Sequence, residues 1–102
     1  MENINWVFVN EKIRVLLNSN QSLLEKNIIQ GIIHYLDVDE YEMALELLCL
    51  ALMNVDNFPL GELETMYELA KQLNLDKESV FDDNFWMNFT TALDKRRKNE
   101  TT

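Results

Sequence analysis

Turn-making residues are nearly missing from this sequence, which has two glycines and one proline in 102 residues. A fold of many short strands needs frequent turns, so their scarcity points to a few long helices. Cysteine and histidine occur once each, as Cys49 and His34. A lone thiol closes no internal disulfide, and one Cys with one His cannot supply a zinc site of several such ligands. The longest unbroken apolar run, Leu47 to Met53, has seven residues, against the roughly 20 needed to cross a bilayer. The opening stretch "MENINWVFVNEK" lacks the basic n-region of a signal peptide. The expectation is a cytoplasmic protein with no membrane partner.

Positive charge is missing from the middle of the chain. Between Asn27 and Ala70 there is no Lys or Arg, while nine acids fall there: Asp37, Asp39, Glu40, Glu42, Glu46, Asp56, Glu62, Glu64 and Glu68. The whole chain carries 9 basic and 18 acidic residues, a net charge of −9. Four of the nine bases form the run Lys95 to Lys98, so residues 1–94 hold 17 acids against 5 bases. Such a field repels phosphate backbones and attracts basic partners. Direct nucleic-acid binding is not expected, and residues 95–102 read as a basic tail on a helical domain of 1–94.

What is present is apolar surface at helical spacing. At 47% hydrophobic and 10% aromatic, the composition suits a folded domain of ordinary size with one core. The pattern predicts an all-α, single-domain bundle of about five helices. The first covers Ile4 to Leu17. Ser22 with Glu25 matches a capping box for the second, whose stripe is Leu24, Ile28, Ile32 and Leu36, with Gly31 costing about 1 kcal/mol relative to Ala. Asp39 with Glu42 offers a similar start for the third, with Tyr41, Ala44, Leu45, Leu48, Ala51 and Leu52 facing inward. Asp39, Glu42, Met43, Glu46, Leu50 and Met53 fall on its other side. Pro59 suits the opening of a fourth helix, which buries Leu63, Met66, Tyr67, Ala70 and Leu73 and leaves Glu64 and Glu68 outside. A last helix starts near Asp83, with Trp86, Phe89, Thr90 and Leu93 inward, and Thr101 and Thr102 frayed.

The motifs that carry chemistry are few. A calcium loop starting at Asp37 needs Gly at its sixth position and Glu at its twelfth, where this sequence has Glu42 and Leu48. There is no Gly-rich phosphate loop and no Ser nucleophile motif. His34 reads as a partly buried structural residue and Cys49 as a small core residue. The reading is no enzyme, no metal and no cofactor. Asp39, Glu40 and Glu42 suit the positive end of a helix dipole. Glu46 one turn after Glu42, and Glu68 one turn after Glu64, instead repel at that spacing. Two readings are open for those pairs, a generic solvated acidic surface and a negative face matched to a cationic protein.

The stretch "DEYEMALELLCLAL", then Pro59 in its loop, "LETMYELAKQLNLD" and an aromatic "FW" at Phe85 and Trp86, resembles the Maf-type immunity family of bacterial polymorphic toxin systems. Contact-dependent growth inhibition immunity proteins are near neighbours of that family. The matching positions are Glu40, Tyr41, Glu42, Ala44, Leu45, Glu46, Leu48, Cys49, Pro59, Tyr67 to Leu75 and Trp86, within residues 39–86. Asp39 stands where the family commonly has Gly. The resemblance implies a cytoplasmic protein that binds the C-terminal domain of a cognate toxin, often a nuclease, and blocks its active site or substrate surface. Candidate contacts are Asp39, Glu42, Glu46, Glu64 and Glu68, with Met43, Leu50 and Met53 as apolar anchors. The alternative is an acidic helical adaptor or regulator for another basic protein.

Overall fold

A computed structural model describes residues 4–100 and contains the expected all-α bundle. Its helices are α1 (Trp6–Ser19), α2 (Lys26–Asp37), α3 (Tyr41–Leu52), α4 (Leu60–Gln72) and α5 (Phe85–Glu100), with one short 3₁₀ turn at Gln21–Leu23. The described residues contain no strand. Helix α3 is the centre and packs on each of the other four. Its Ala44, Leu45, Leu48, Cys49 and Leu52 are fully enclosed. Around them lie Val9, Ile13 and Leu17 of α1, Ile32 and Leu36 of α2, Leu63 and Met66 of α4, and Phe85 and Phe89 of α5.

Two helix starts differ from expectation. Ser22 lies inside the 3₁₀ turn, closed by the Leu23 and Leu24 amides donating to the Asn20 and Gln21 carbonyls. Extended Leu24 breaks that turn, and α2 begins at Lys26 with no side-chain cap from Glu25. Asp39 cannot cap α3, because its φ of 61° puts it in the left-handed region. It closes α2 instead: the Asp39 amide donates to Leu36 O and the Glu40 amide to Tyr35 O, the paired bonds of a Schellman motif. The same motif ends α4, where Asn74 has a φ of 62° and the Asn74 and Leu75 amides donate to Lys71 O and Ala70 O. Asp39, Asn57 and Asn74 thus fill left-handed positions that glycine usually holds. The two glycines lie within helices. A Cβ on Gly31 would come within 3.3 Å of a Leu47 methyl, so its absence lets α2 lie close to α3.

The basic run is no separate tail. Helix α5 continues through it to Glu100, as cations in a last turn favour. Arg96 donates to the Phe58 carbonyl, while Arg97 lies 5.7 Å from the Tyr67 ring centroid and 4.0 Å from Glu64. The sequence boundary at residue 94 therefore falls in mid-helix. Thr101 and Thr102 lie outside the described residues. At the other end of the chain, the buried Asn20 donates to Leu16 O and to Glu62 Oε1, joining α1 to α4. Arg14 pairs with Asp37 at 3.1 Å, joining α1 to the end of α2.

Glu46 is the largest departure from the sequence reading. Expected on an outward face, it is 0% exposed. Its Oε1 accepts the Val80 amide at 2.6 Å, and its Oε2 accepts those of Phe81 and Asp82 at 2.9 and 3.0 Å. The carboxylate thus holds the loop between α4 and α5 against α3 and has no surface left for a partner. Met53, expected as an exposed anchor, is 8% exposed and belongs to the core.

Three outcomes are expected from these contacts. Glu46→Ala leaves three amides unpaired and lowers stability in urea melts by about 3 kcal/mol. Glu46→Gln also destabilises, because its NH₂ faces amides that need an acceptor, and in both variants amide exchange accelerates first at 80–82. Asn74→Gly relieves the left-handed backbone and stabilises by about 0.5–1 kcal/mol in the same melts.

Candidate partner-binding cleft

The Schellman turn at Asp39 starts α3 immediately after α2, and the Glu46 tie brings the α4–α5 loop alongside that start. Between them lies an open cleft of about 570 Å³ lined by Glu40, Glu42, Met43, Leu73, Asn74, Glu78, Ser79 and Val80. Three of these side chains are carboxylates, and Met43, Leu73 and Val80 supply the apolar surface. No Lys or Arg is among the lining residues. Val80 is 45% exposed, as is Phe81 beside it, whose ring lies 5.8 Å from that of Tyr35. The cleft's loop wall therefore shows apolar side chains to solvent while its backbone is fixed by Glu46.

The eight residues expected to touch a partner are divided by the fold. Glu42 and Met43 meet in the cleft. Asp39 lies beside α3's start in a separate depression with Trp6 and Tyr41. There it accepts a 2.9 Å hydrogen bond from the Tyr41 hydroxyl. That bond, with desolvation and the carboxylate's negative charge, raises the Tyr41 pKa above its ordinary 10.0. Leu50 lines an apolar groove with Leu23, Leu24, Ile28 and Leu47. Glu64 and Glu68 are exposed on α4, with Glu64 facing Arg97, and neither lines the cleft. Glu46 and Met53 are buried.

Glu40, Leu73, Asn74, Glu78, Ser79 and Val80 belong to the cleft without having been singled out as contacts. Glu40 was legible only as a helix-dipole residue. Glu78 lies in a loop whose partner across the cleft is set by a bond from Glu46, 34 residues away from Val80. The one available signal was composition: "ESVF" places a carboxylate two residues before a pair of apolar residues.

His34 is exposed rather than partly buried, with its ring 5.6 Å from that of Tyr35. It lines neither the cleft nor the depressions beside it. Among the described residues no group of three or more His, Cys, Asp or Glu side chains is arranged to hold a metal ion. No helix among them is long and apolar enough to cross a membrane. Comparison with protein-family models, curated proteins and solved structures gives no match for this chain.

Cys49 is a core residue, as expected, and completely enclosed. Burial first, then the nearby Glu46 charge, pushes its thiol pKa well above the usual 9.0. The folded state keeps this proton where the unfolded chain loses it, so the thiol's contribution is complete below pH 9.0 and declines as pH rises beyond that value. A thiol-reactive dye at pH 8 should leave the native protein unlabelled over hours and label it fully in denaturant. Rapid labelling of the native state would contradict this enclosure.

Proposed function

We propose that this chain is an immunity protein that binds the basic C-terminal domain of a cognate toxin, a nuclease being the best match, and neutralises it by covering the surface that holds its substrate. One observation carries the reading: Glu40, Glu42 and Glu78 surround apolar Met43, Leu73 and Val80 in a cleft without a lining cation. Lys and Arg complement this composition, each an apolar stem ending in a positive head. A nuclease presents such residues wherever it holds phosphates. The net charge of −9 accelerates encounter with that surface, while buried apolar contacts supply most of the affinity.

The likeness of residues 39–86 to Maf-type immunity proteins supports the same reading. That family commonly has Gly at the position of Asp39, and Asp39 adopts a left-handed φ of 61°, a conformation that favours glycine. Neutralisation of a toxin domain that has reached its target in the cell requires the inhibitor to work in the cytoplasm.

The test is complex formation with the toxin-like product of the neighbouring reading frame, followed by protection of cells expressing it. Glu42→Lys with Glu78→Lys should weaken binding at least about tenfold, chiefly through slower association, and flatten its dependence on salt. Circular dichroism controls for folding. Unchanged binding and protection in the double variant would remove the cleft from the interface. Wild-type binding without protection favours the adaptor function, and no binding at all overturns the proposal.

A further inference from the structure

The loop held by Glu46 carries an aromatic side chain that the core does not absorb. Phe81 is 45% exposed, although its amide donates to Glu46 Oε2 at 2.9 Å and its backbone is thereby fixed. Its ring lies 5.8 Å from that of half-buried Tyr35, at an interplanar angle of 50°. Each ring belongs to a different wall of the acidic cleft. Phe81 follows Val80 of the loop wall, while the Tyr35 carbonyl accepts the amide of Glu40, on the wall at the start of α3, at 2.8 Å. The ring pair therefore joins the two walls at one border of the cleft, and each wall brings a carboxylate, Glu40 on one and Glu78 on the other.

A ring bordering carboxylates complements one kind of cation better than the other. Guanidinium is planar, weakly hydrated and forked, so it stacks on a ring while its N–H groups reach a carboxylate. Ammonium is compact and strongly hydrated, and gains less from the same ring. Within the fold, one guanidinium already lies between such groups: Arg97 is 5.7 Å from the Tyr67 ring centroid and 4.0 Å from Glu64. We infer that the Tyr35–Phe81 pair makes the partner surface selective for arginine over lysine. A guanidinium of the basic partner stacks on Phe81 and donates to the carboxylates of the adjoining cleft. The role in toxin binding rests on the function proposed above, whereas the preference belongs to this chain and is measurable without the toxin.

The preference is tested by amide NMR of the isotope-labelled protein, titrated with Nα-acetyl-arginine amide and with Nα-acetyl-lysine amide at the same ionic strength. The arginine compound should shift the amides of Glu40 and of residues 78–82 and bind about threefold more tightly than the lysine compound. Phe81→Leu keeps apolar bulk without a ring and should remove the difference, while Phe81→Tyr restores a ring and should keep it. Slow exchange of the Val80 and Asp82 amides shows that the loop stays in place in both variants. Equal binding of the two compounds by the wild type overturns the inference, as does a preference that survives in Phe81→Leu. In the toxin complex, Phe81→Leu should weaken binding about threefold and leave its salt dependence unchanged, in contrast to charge reversal at Glu42 and Glu78. A complex that depends on those two acids but not on Phe81 overturns this role and leaves the toxin-binding function standing. An arginine preference lost in Phe81→Leu, with no toxin complex formed, supports the preference and overturns that function.

Discussion

A carboxylate at the centre of a hydrophobic bundle is costly to dehydrate, by several kcal/mol even after relaxation. Glu46 is tolerated there because three successive amides of the α4–α5 loop donate to it, and hydrogen bonds to a charged group are each worth about 1.5–3 kcal/mol. The consequence runs in both directions. Without the carboxylate, the Val80, Phe81 and Asp82 amides have no acceptor from α3. Without the loop, the middle of α3 carries an unpaired charge in an apolar surrounding. This one contact decides where the α4–α5 loop lies, hence one wall of the acidic cleft, and it fixes the approach to α5, whose Phe85 and Phe89 complete the core.

The helices were legible in the sequence because their buried stripes recur at helical spacing. Ala44, Leu45, Leu48 and Leu52 were placed inward from periodicity alone, and all are buried. The same wheel put Glu46 and Met53 on the far side of α3, which is where they lie. It erred in treating that side as open, because an amphipathic pattern distinguishes two faces of a helix and says nothing of what covers the second. Helix α3 is contacted by all four other helices, and the cover over Glu46 comes from a loop more than 30 residues away. The cleft was half legible for that reason. Its α3 side, with Glu42 and Met43, follows from local pattern, whereas Glu78 and Val80 arrive through a long-range bond that no local signal encodes.

Capping signals misled where a short polar residue had competing uses. Ser22 and Glu25 have the spacing of a capping box, yet a 3₁₀ turn takes up Ser22. Asp39 has the chemistry of a cap but serves as the left-handed residue that ends the preceding helix. With only two glycines in the chain, Asp and Asn are the residues best able to take such positions, so each one before a helix has two possible readings. The basic run was misread for the opposite reason. Charge alone marked it as a tail, while Arg96 and Arg97 find a carbonyl, a ring and a carboxylate on the body of the protein.

Glu46 grips the loop by its backbone and not by its side chains. The amides of Val80, Phe81 and Asp82 are present whatever residues stand there, proline excepted. The cleft wall and the loop beside it can therefore exchange exposed side chains, Val80 and Phe81 above all, without loosening the bond that places them. A fold built this way separates the positions that hold its shape from those that line its cleft. Substitutions at the wall can then change the chemistry of the cleft, while the fold beneath is inherited unchanged.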